Sequence, residues 1–173
     1  MKKILGGFLV LLLAVMLTGC TTTTSSDEDG QSKREFNVSE TAIVNNTRIT
    51  INSVTKLEQD CFFEFNGECS HWSTPDNDFF IVIDLTIENT GSNDLAISSI
   101  MTFDLKDNDG VQGKYAFLMD AIKSQLDGSV MPGDKLTGQI AYDVSESDVY
   151  NFYFRDSLLD SPIKFIIQKS DIK

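Results

Sequence analysis

The chain has 173 residues, 26 of them Asp or Glu against 14 Lys or Arg, and a formal charge of −12; 41% of it is hydrophobic and 10% aromatic. That apolar content is enough for one buried core and excludes a wholly disordered chain. No cluster of Lys and Arg interrupts the acidic surface, so a nucleic-acid partner, which needs cations to displace counterions, is excluded too.

Residues 1–19 follow the plan of an export signal: Lys2 and Lys3, an apolar run from Ile4 to Leu17, then Thr18 and Gly19 before Cys20. At ~1.5 Å per residue the run would span ~21 Å as a helix, short of the ~30 Å hydrocarbon core, so it reads as a cleaved signal and not as a permanent span. Leu17-Thr18-Gly19-Cys20 resembles the lipobox of bacterial lipoproteins, whose cysteine thiol receives diacylglycerol before the peptidase cuts in front of it. The competing reading is an ordinary secretory signal with a chance cysteine, and the placement of Cys20 directly after Thr-Gly favours lipidation. Loss of Lys2 and Lys3 on cleavage takes the charge from −12 to −14. Residues 20–34 then read as the lipidated cysteine and a flexible stalk. Thr, Ser and Asp dominate Thr21 to Arg34, and with no apolar side chain nothing offsets the entropy of ordering them. Fully extended at ~3.3 Å per residue, the stalk would reach ~45 Å.

The domain is expected over residues 35–173. Ile49 and Ile51 alternate with Thr50 and Asn52, and Val54 and Leu57 fall out of that register, which predicts a strand over Thr47–Leu57 with a bulge or an end inside it. Cys61 and Cys69 follow. In an exported chain with Cys20 committed to lipid, they are candidates for a disulfide closing a loop that holds Phe62, Phe63, Phe65 and Gly67. Two free thiols are one alternative. A zinc site with His71 is another, and it lacks a fourth ligand at convincing spacing. Phe62, Phe63, Phe65 and Trp72 are candidate partner contacts; burial of these rings against a sheet is the competing and more ordinary fate.

From Asp78 to Asn89, Phe79, Ile81, Ile83, Leu85 and Ile87 face one way while Asp84, Thr86 and Glu88 face the other, which predicts a half-buried strand. After a turn containing Gly91, Leu95 to Leu105 alternates through Ile97, Met101 and Phe103 and is expected to lie beside it. Leu118, Ile122 and Leu126 recur at helical spacing between Tyr115 and Asp127, and Gly128 would stop a short helix there. Three more strands are predicted around Leu136, Ile140 and Tyr142; around Tyr150, Phe152 and Phe154; and around Ile163, Phe165 and Ile167. The fold class is therefore all-β: an antiparallel sandwich of about seven strands with at most one short helix.

Three stretches carry a resemblance: FFIVIDLTIENTGSNDL from Phe79, FDLKDNDG from Phe103 and MPGDKLTGQIAYDV from Met131. Through them the chain resembles, over roughly residues 36 to 168, a family of bacterial lipoprotein domains of unknown function related to the mycobacterial immunoprotective extracellular antigen. The resemblance implies an immunoglobulin-like sandwich and an extracytoplasmic, often surface-anchored, location. It implies no activity, because the family offers no established catalytic residues. The turns stand on their own chemistry: Pro132 sets φ and Gly133 tolerates a positive one, and Asp109-Gly110 favours a tight turn. The loop between Cys61 and Cys69 is outside the shared pattern.

Catalytic signals are weak. His71 is the sole histidine, with no nucleophile elbow in the sequence. Asp107-Asn108-Asp109-Gly110 resembles the start of a calcium loop, but the twelfth position is Leu118 where a glutamate is required, so a solvent-exposed turn is expected. No cofactor fingerprint or phosphate-binding glycine motif is present. These readings predict a non-enzymatic lipoprotein without metal or cofactor, anchored to the cell membrane through the lipid on Cys20, whose extracytoplasmic domain contacts a protein, peptide or envelope component. The alternative is a structural or scaffolding lipoprotein of the envelope with no small ligand.

Overall fold

Apolar alternation along the strands closes two sheets over a shared core in the computed structural model, which describes residues 33–57, 64–65, 68–69, 77, 79–118, 122–157 and 161–173. In chain order the strands are β1 Glu35–Asn37, β2 Thr41–Val44, β3 Thr47–Leu57, β4 Glu64–Phe65, β5 Glu68–Cys69 and β6 Phe79–Asn89. There follow β7 Leu95–Ile97, β8 Phe103–Asp107, β9 Lys114–Ala116, β10 Gly128–Val130, β11 Lys135–Val144, β12 Val149–Phe154 and β13 Ile163–Gln168, and a single 3-10 turn at Lys169–Asp171. One sheet has the order β1-β13-β12-β8 and the other β2-β3-β6-β11-β9; β7 pairs with β10, and β4 with β5. The ladders are antiparallel except where β1 runs parallel to β13. The sandwich predicted from the alternation is the fold observed.

The inner faces are those the alternation marked. Tyr150, Phe152 and Phe154 of β12 and Ile163, Phe165 and Ile167 of β13 are buried against Ile49, Ile51 and Val54 of β3 and Ile83, Leu85 and Ile87 of β6. Each such side chain stabilises the fold by about 1.5–3 kcal/mol relative to exposure. Phe103 stacks on Phe152 at 5.6 Å between ring centres, and Phe36 meets Phe165 at 5.6 Å. The register of β3 on β6 slips between Ile51 and Ser53, which is the predicted bulge. The displaced Asn52 uses its amide to donate to Asp84 Oδ1 at 2.7 Å and Thr86 Oγ1 at 3.0 Å.

Two expectations are corrected. Leu95 to Leu105 is not one strand beside β6: the chain turns at residues 98–102, where Thr102 N donates to Ser98 O at 2.9 Å, and splits into β7, paired with β10, and β8, paired with β12 in the opposite sheet. Met101, counted on the buried face by periodicity, is 60% exposed on this turn. The Tyr115 to Asp127 segment contains no helix among the described residues. Lys114–Ala116 is strand β9, and a lone helical-type bond joins Ile122 N to Leu118 O at 3.0 Å. The three apolar residues do not share a destination: Leu118 and Ile122 cover Phe80 and Val82 on the outer face of β6, while Leu126 enters the main core. Instead of closing a helix, the backbone docks on β11, where Gln139 N donates to Ser124 O at 2.7 Å.

Candidate functional site

The registers sort the loops to two ends of the sandwich. Asn89, Phe103, Phe154 and Ile163 lie at one end; Phe79, Asp107, Val144 and Tyr150 lie at the other. The described domain begins at the first end, since Glu35 pairs with Lys164 and Arg34 donates to Ser161 O at 2.7 Å.

At the second end β3 finishes at Leu57 and β6 begins at Phe79, side by side through the Leu57–Phe80 pair. A cleft of about 180 Å³ there is floored by Phe79, Tyr150 and Ile172 and rimmed by Lys56, Glu146 and Lys169. The Lys56 ammonium lies 4.3 Å from the centre of the Phe79 ring. Lys169 pairs with Glu146, which holds that carboxyl below its ordinary range and pushes the ammonium up. Lys169 therefore already has its counter-ion.

Arg155 at the first end differs. It follows the last residue of β12, and its N–H donates to Thr102 O at 2.9 Å, so the backbone is held by the 98–102 turn. By the alternation of β12 its side chain shares the outer face with Asn151 and Tyr153. Its Nε is buried and meets no hydrogen-bonding partner, and no ion pair to it occurs among the described residues. Two carboxylates stand nearby, both already engaged by amides: Asp104 Oδ1 accepts from Gln112 at 2.8 Å and Asp156 Oδ2 from Asn45 at 2.8 Å. Arg155 borders two clefts. One, of about 150 Å³, also meets Asp104, Gln112 and Tyr153; the other, of about 220 Å³, also meets Ala96 and Ile97, and Met101 and Thr102 are common to both. On the same turn Ile100 is 72% exposed.

Of the residues singled out in the sequence, Cys20, Cys61, Phe62, Phe63, His71 and Trp72 lie outside the described residues, and with Cys61 so does its pairing with Cys69. Phe65 and Cys69 fall in β4 and β5, whose ladder pairs Glu64 with Cys69 and Phe65 with Glu68. Two residues, Asn66 and Gly67, separate that last pair in the sequence, and Asn-Gly is a strong hairpin signal. The Asp107 turn uses its own carboxylate, with Oδ1 accepting from Asp109 N at 2.9 Å and Val111 N at 2.8 Å, and Gly110 adopts φ of 84°. Among the described residues no group of three His, Cys, Asp or Glu is placed to hold a metal ion, and no helix is long and apolar enough to cross a membrane. Arg155 was not anticipated. Nothing in its sequence context signals it, because its burial depends on a turn drawn from residues more than fifty positions earlier.

A family model described as Domain of unknown function (DUF4352) matches residues 36–163. No curated protein sequence matches the chain. Among solved structures, the yjhA protein of Bacillus subtilis is 18% identical with a TM-score of 0.54, covering 77% of this chain and 98% of its own. A proposed lipoprotein of the same species, ycdA, is 17% identical with a TM-score of 0.58; the match covers 82% of this chain and 40% of that one. The secreted protein MPT63 of Mycobacterium tuberculosis is 10% identical with a TM-score of 0.53, over 79% of this chain and 97% of that one. At these identities the likeness is one of fold.

Proposed function

The chain belongs to the DUF4352 family of domains of unknown function, and from that premise we propose that it is an extracytoplasmic lipoprotein, tethered through lipid on Cys20, whose sandwich is a non-enzymatic interaction module. The observation that supports the reading is the end of the sandwich at the 98–102 turn, where two clefts bordered by Arg155, Met101 and Thr102 lie beside the exposed Ile100 on a rigid scaffold. Among the described residues around it there is no nucleophile paired with a base, the combination that covalent hydrolysis needs. Such an end binds; it does not turn over. Loops on a fixed scaffold are the usual seat of recognition. The location is supported by the signal-like start with Leu17-Thr18-Gly19-Cys20 and by the descriptions of ycdA as a proposed lipoprotein and MPT63 as secreted.

The same location makes Cys61 and Cys69 a proposed disulfide. Its geometry sets a condition. Cys69 faces Glu64 across the β4–β5 ladder; a ladder continued past Glu64 would carry Cys61 three residues on, roughly 10 Å along the strand and beyond bridging distance. The bridge thus requires the chain to leave the ladder just before Glu64.

The test is crosslinking in the native cells with a photoreactive residue placed in turn at positions 100, 112 and 157 of the lipidated protein. Specific adducts at these positions, absent with the probe at exposed position 41 on the outer face of the five-stranded sheet, are expected. Adducts no stronger than that control would favour the scaffolding alternative.

A further inference from the structure

We propose that the 98–102 turn docks a basic polypeptide segment, one in which apolar side chains alternate with Lys or Arg. The proposal deepens, and rests on, the reading of this end as an interaction surface, and it names the partner's chemistry. Two large apolar residues stand side by side at the tip of the turn, Ile100 at 72% exposure and Met101 at 60%. The turn holds them outward, because its backbone is pinned on both sides. Thr102 N donates to Ser98 O at 2.9 Å, Ser98 N to Thr102 Oγ1 at 3.0 Å and Arg155 N to Thr102 O at 2.9 Å. Ser99 is fixed by Asp127, its N donating to Oδ1 at 2.9 Å and its hydroxyl to Oδ2 at 2.7 Å. Adjacent apolar side chains held in water beside two clefts gain by being covered.

Charge decides what covers them. The cleft of about 150 Å³ is bordered by Asp104 and the cleft of about 220 Å³ by Asp156, while Asp127 bonds the turn itself. Neutral donors hold all three carboxylates: the Gln112 amide on Asp104 at 2.8 Å, the Asn45 amide on Asp156 at 2.8 Å, and Ser99 on Asp127. None of the three joins an ion pair among the described residues, so their charge is not cancelled. Arg155 is the one cation lining the clefts, and three carboxylates against one guanidinium leave the turn and its clefts at a net −2. An anionic ligand or anionic lipid surface is repelled here, whereas a cation borne next to an apolar side chain is favoured on both counts. The overall charge of −12 steers such a partner from a distance. Each cleft is small enough to take one side chain and not a folded surface. Ala96, Ile97 and Met101 suit the larger cleft to an apolar side chain, with the unbranched Met101 adapting to its shape. Asp104, Gln112 and Tyr153 suit the smaller one to a cationic head.

The probe is the peptide acetyl-Lys-Leu-Lys-Leu-Lys-amide, added at millimolar concentration to the mature lipidated protein in non-ionic micelles and followed through the Ile100 and Met101 methyl resonances. A saturable shift at those methyls is expected, with affinity falling at least about fivefold as salt rises from ~0.05 M to ~0.5 M. Serine in place of the peptide's leucines, or glutamate in place of its lysines, should weaken binding about tenfold or more. On the protein, Ile100→Ser removes apolar contact, and Asp104→Asn with Asp156→Asn removes two charges while keeping an oxygen for the Gln112 and Asn45 amides. Each change should weaken the peptide about fivefold or more, and the Asn pair should also flatten the salt dependence. Equal shifts with the glutamate or the serine peptide, undiminished affinity in the Asn pair, or no saturable shift would each overturn the proposal. So would anionic phospholipid vesicles that move the same methyls more than the peptide does. In cells, crosslinks at positions 100, 112 and 157 that persist unchanged in the Asn pair would keep the interaction module and refute a basic partner. Peptide binding with no crosslinks would refute the module and keep this chemistry.

Discussion

Tyr142 and Arg155 each bury a polar atom that finds no partner among the described residues. Tyr142 belongs to the core, edge-on to Tyr115 and to Phe152 at 6.4 Å each, where its hydroxyl is shielded from water. Burial pushes its ionisation well above the ordinary tyrosine value, with Asp104 and Tyr115 adding to the effect. The unfolded residue ionises near 10.0 and the folded one higher, so stability from Tyr142 is complete below that pH and declines as pH rises past it. Tyr142→Phe should therefore stabilise the domain by about 1 kcal/mol at neutral pH, by removing an unsatisfied group, and flatten the decline above pH ~10. Urea unfolding at both pH values measures this; a loss of stability at neutral pH would reveal a partner for the hydroxyl. Tyr150 shows the contrast. It is equally buried, yet its hydroxyl donates to Ser145 O at 2.7 Å and accepts from Ser147 N at 2.9 Å, clamping the turn before β12. In the sequence both are strand aromatics. Which one is satisfied depends on whether a turn folds back over the ring, and alternation does not encode that.

Among the elements, length decided what could be read. β3, β6 and β11 run ten or eleven residues, long enough for a period of two to stand out, and the extents of β3 and β6 agree closely with expectation. β1, β7, β9 and β10 have three residues each, too few to show any period. β2 carries a local sign of its own: Asn45-Asn46 joins it to β3, and Asn45 takes the positive φ of 49° that such a tight hairpin favours. The 116–127 segment failed for a different reason. Its helical spacing is real, but the residues divide between two apolar clusters on opposite sides of the sheet. Gly138 permits the crossing, because a Cβ there would stand 2.9 Å from Ser124 O and 3.1 Å from Gln125 O. Gly138→Ala should cost about 1–3 kcal/mol, the usual penalty of overpacking a site whose neighbours are backbone. Thermal unfolding checks it; an unchanged midpoint would mean that the segment lifts off β11 without loss.

For the molecule as a whole, the proposed anchor and the sandwich have separate origins in the chain. Mass spectrometry of the unreduced mature protein is expected to show an acylated peptide beginning at Cys20 and a Cys61–Cys69 linked pair; Cys20→Ala should abolish the first, keep the second and release the domain from membranes or leave the precursor uncut. Acylation surviving in that variant would sink the anchor. The all-β class could be read locally, because it rests on period within continuous stretches, just as the proposed export signal and stalk rest on local composition. Those signals need no partner strand. The sheet to which β7 and β8 belong, the crossing over Gly138, the buried hydroxyl of Tyr142 and the buried Nε of Arg155 were decided only when distant segments packed together. Hydrogen-bond satisfaction and cleft shape are properties of neighbours in space. Residues 102 and 155 become such neighbours through one backbone bond across two strands.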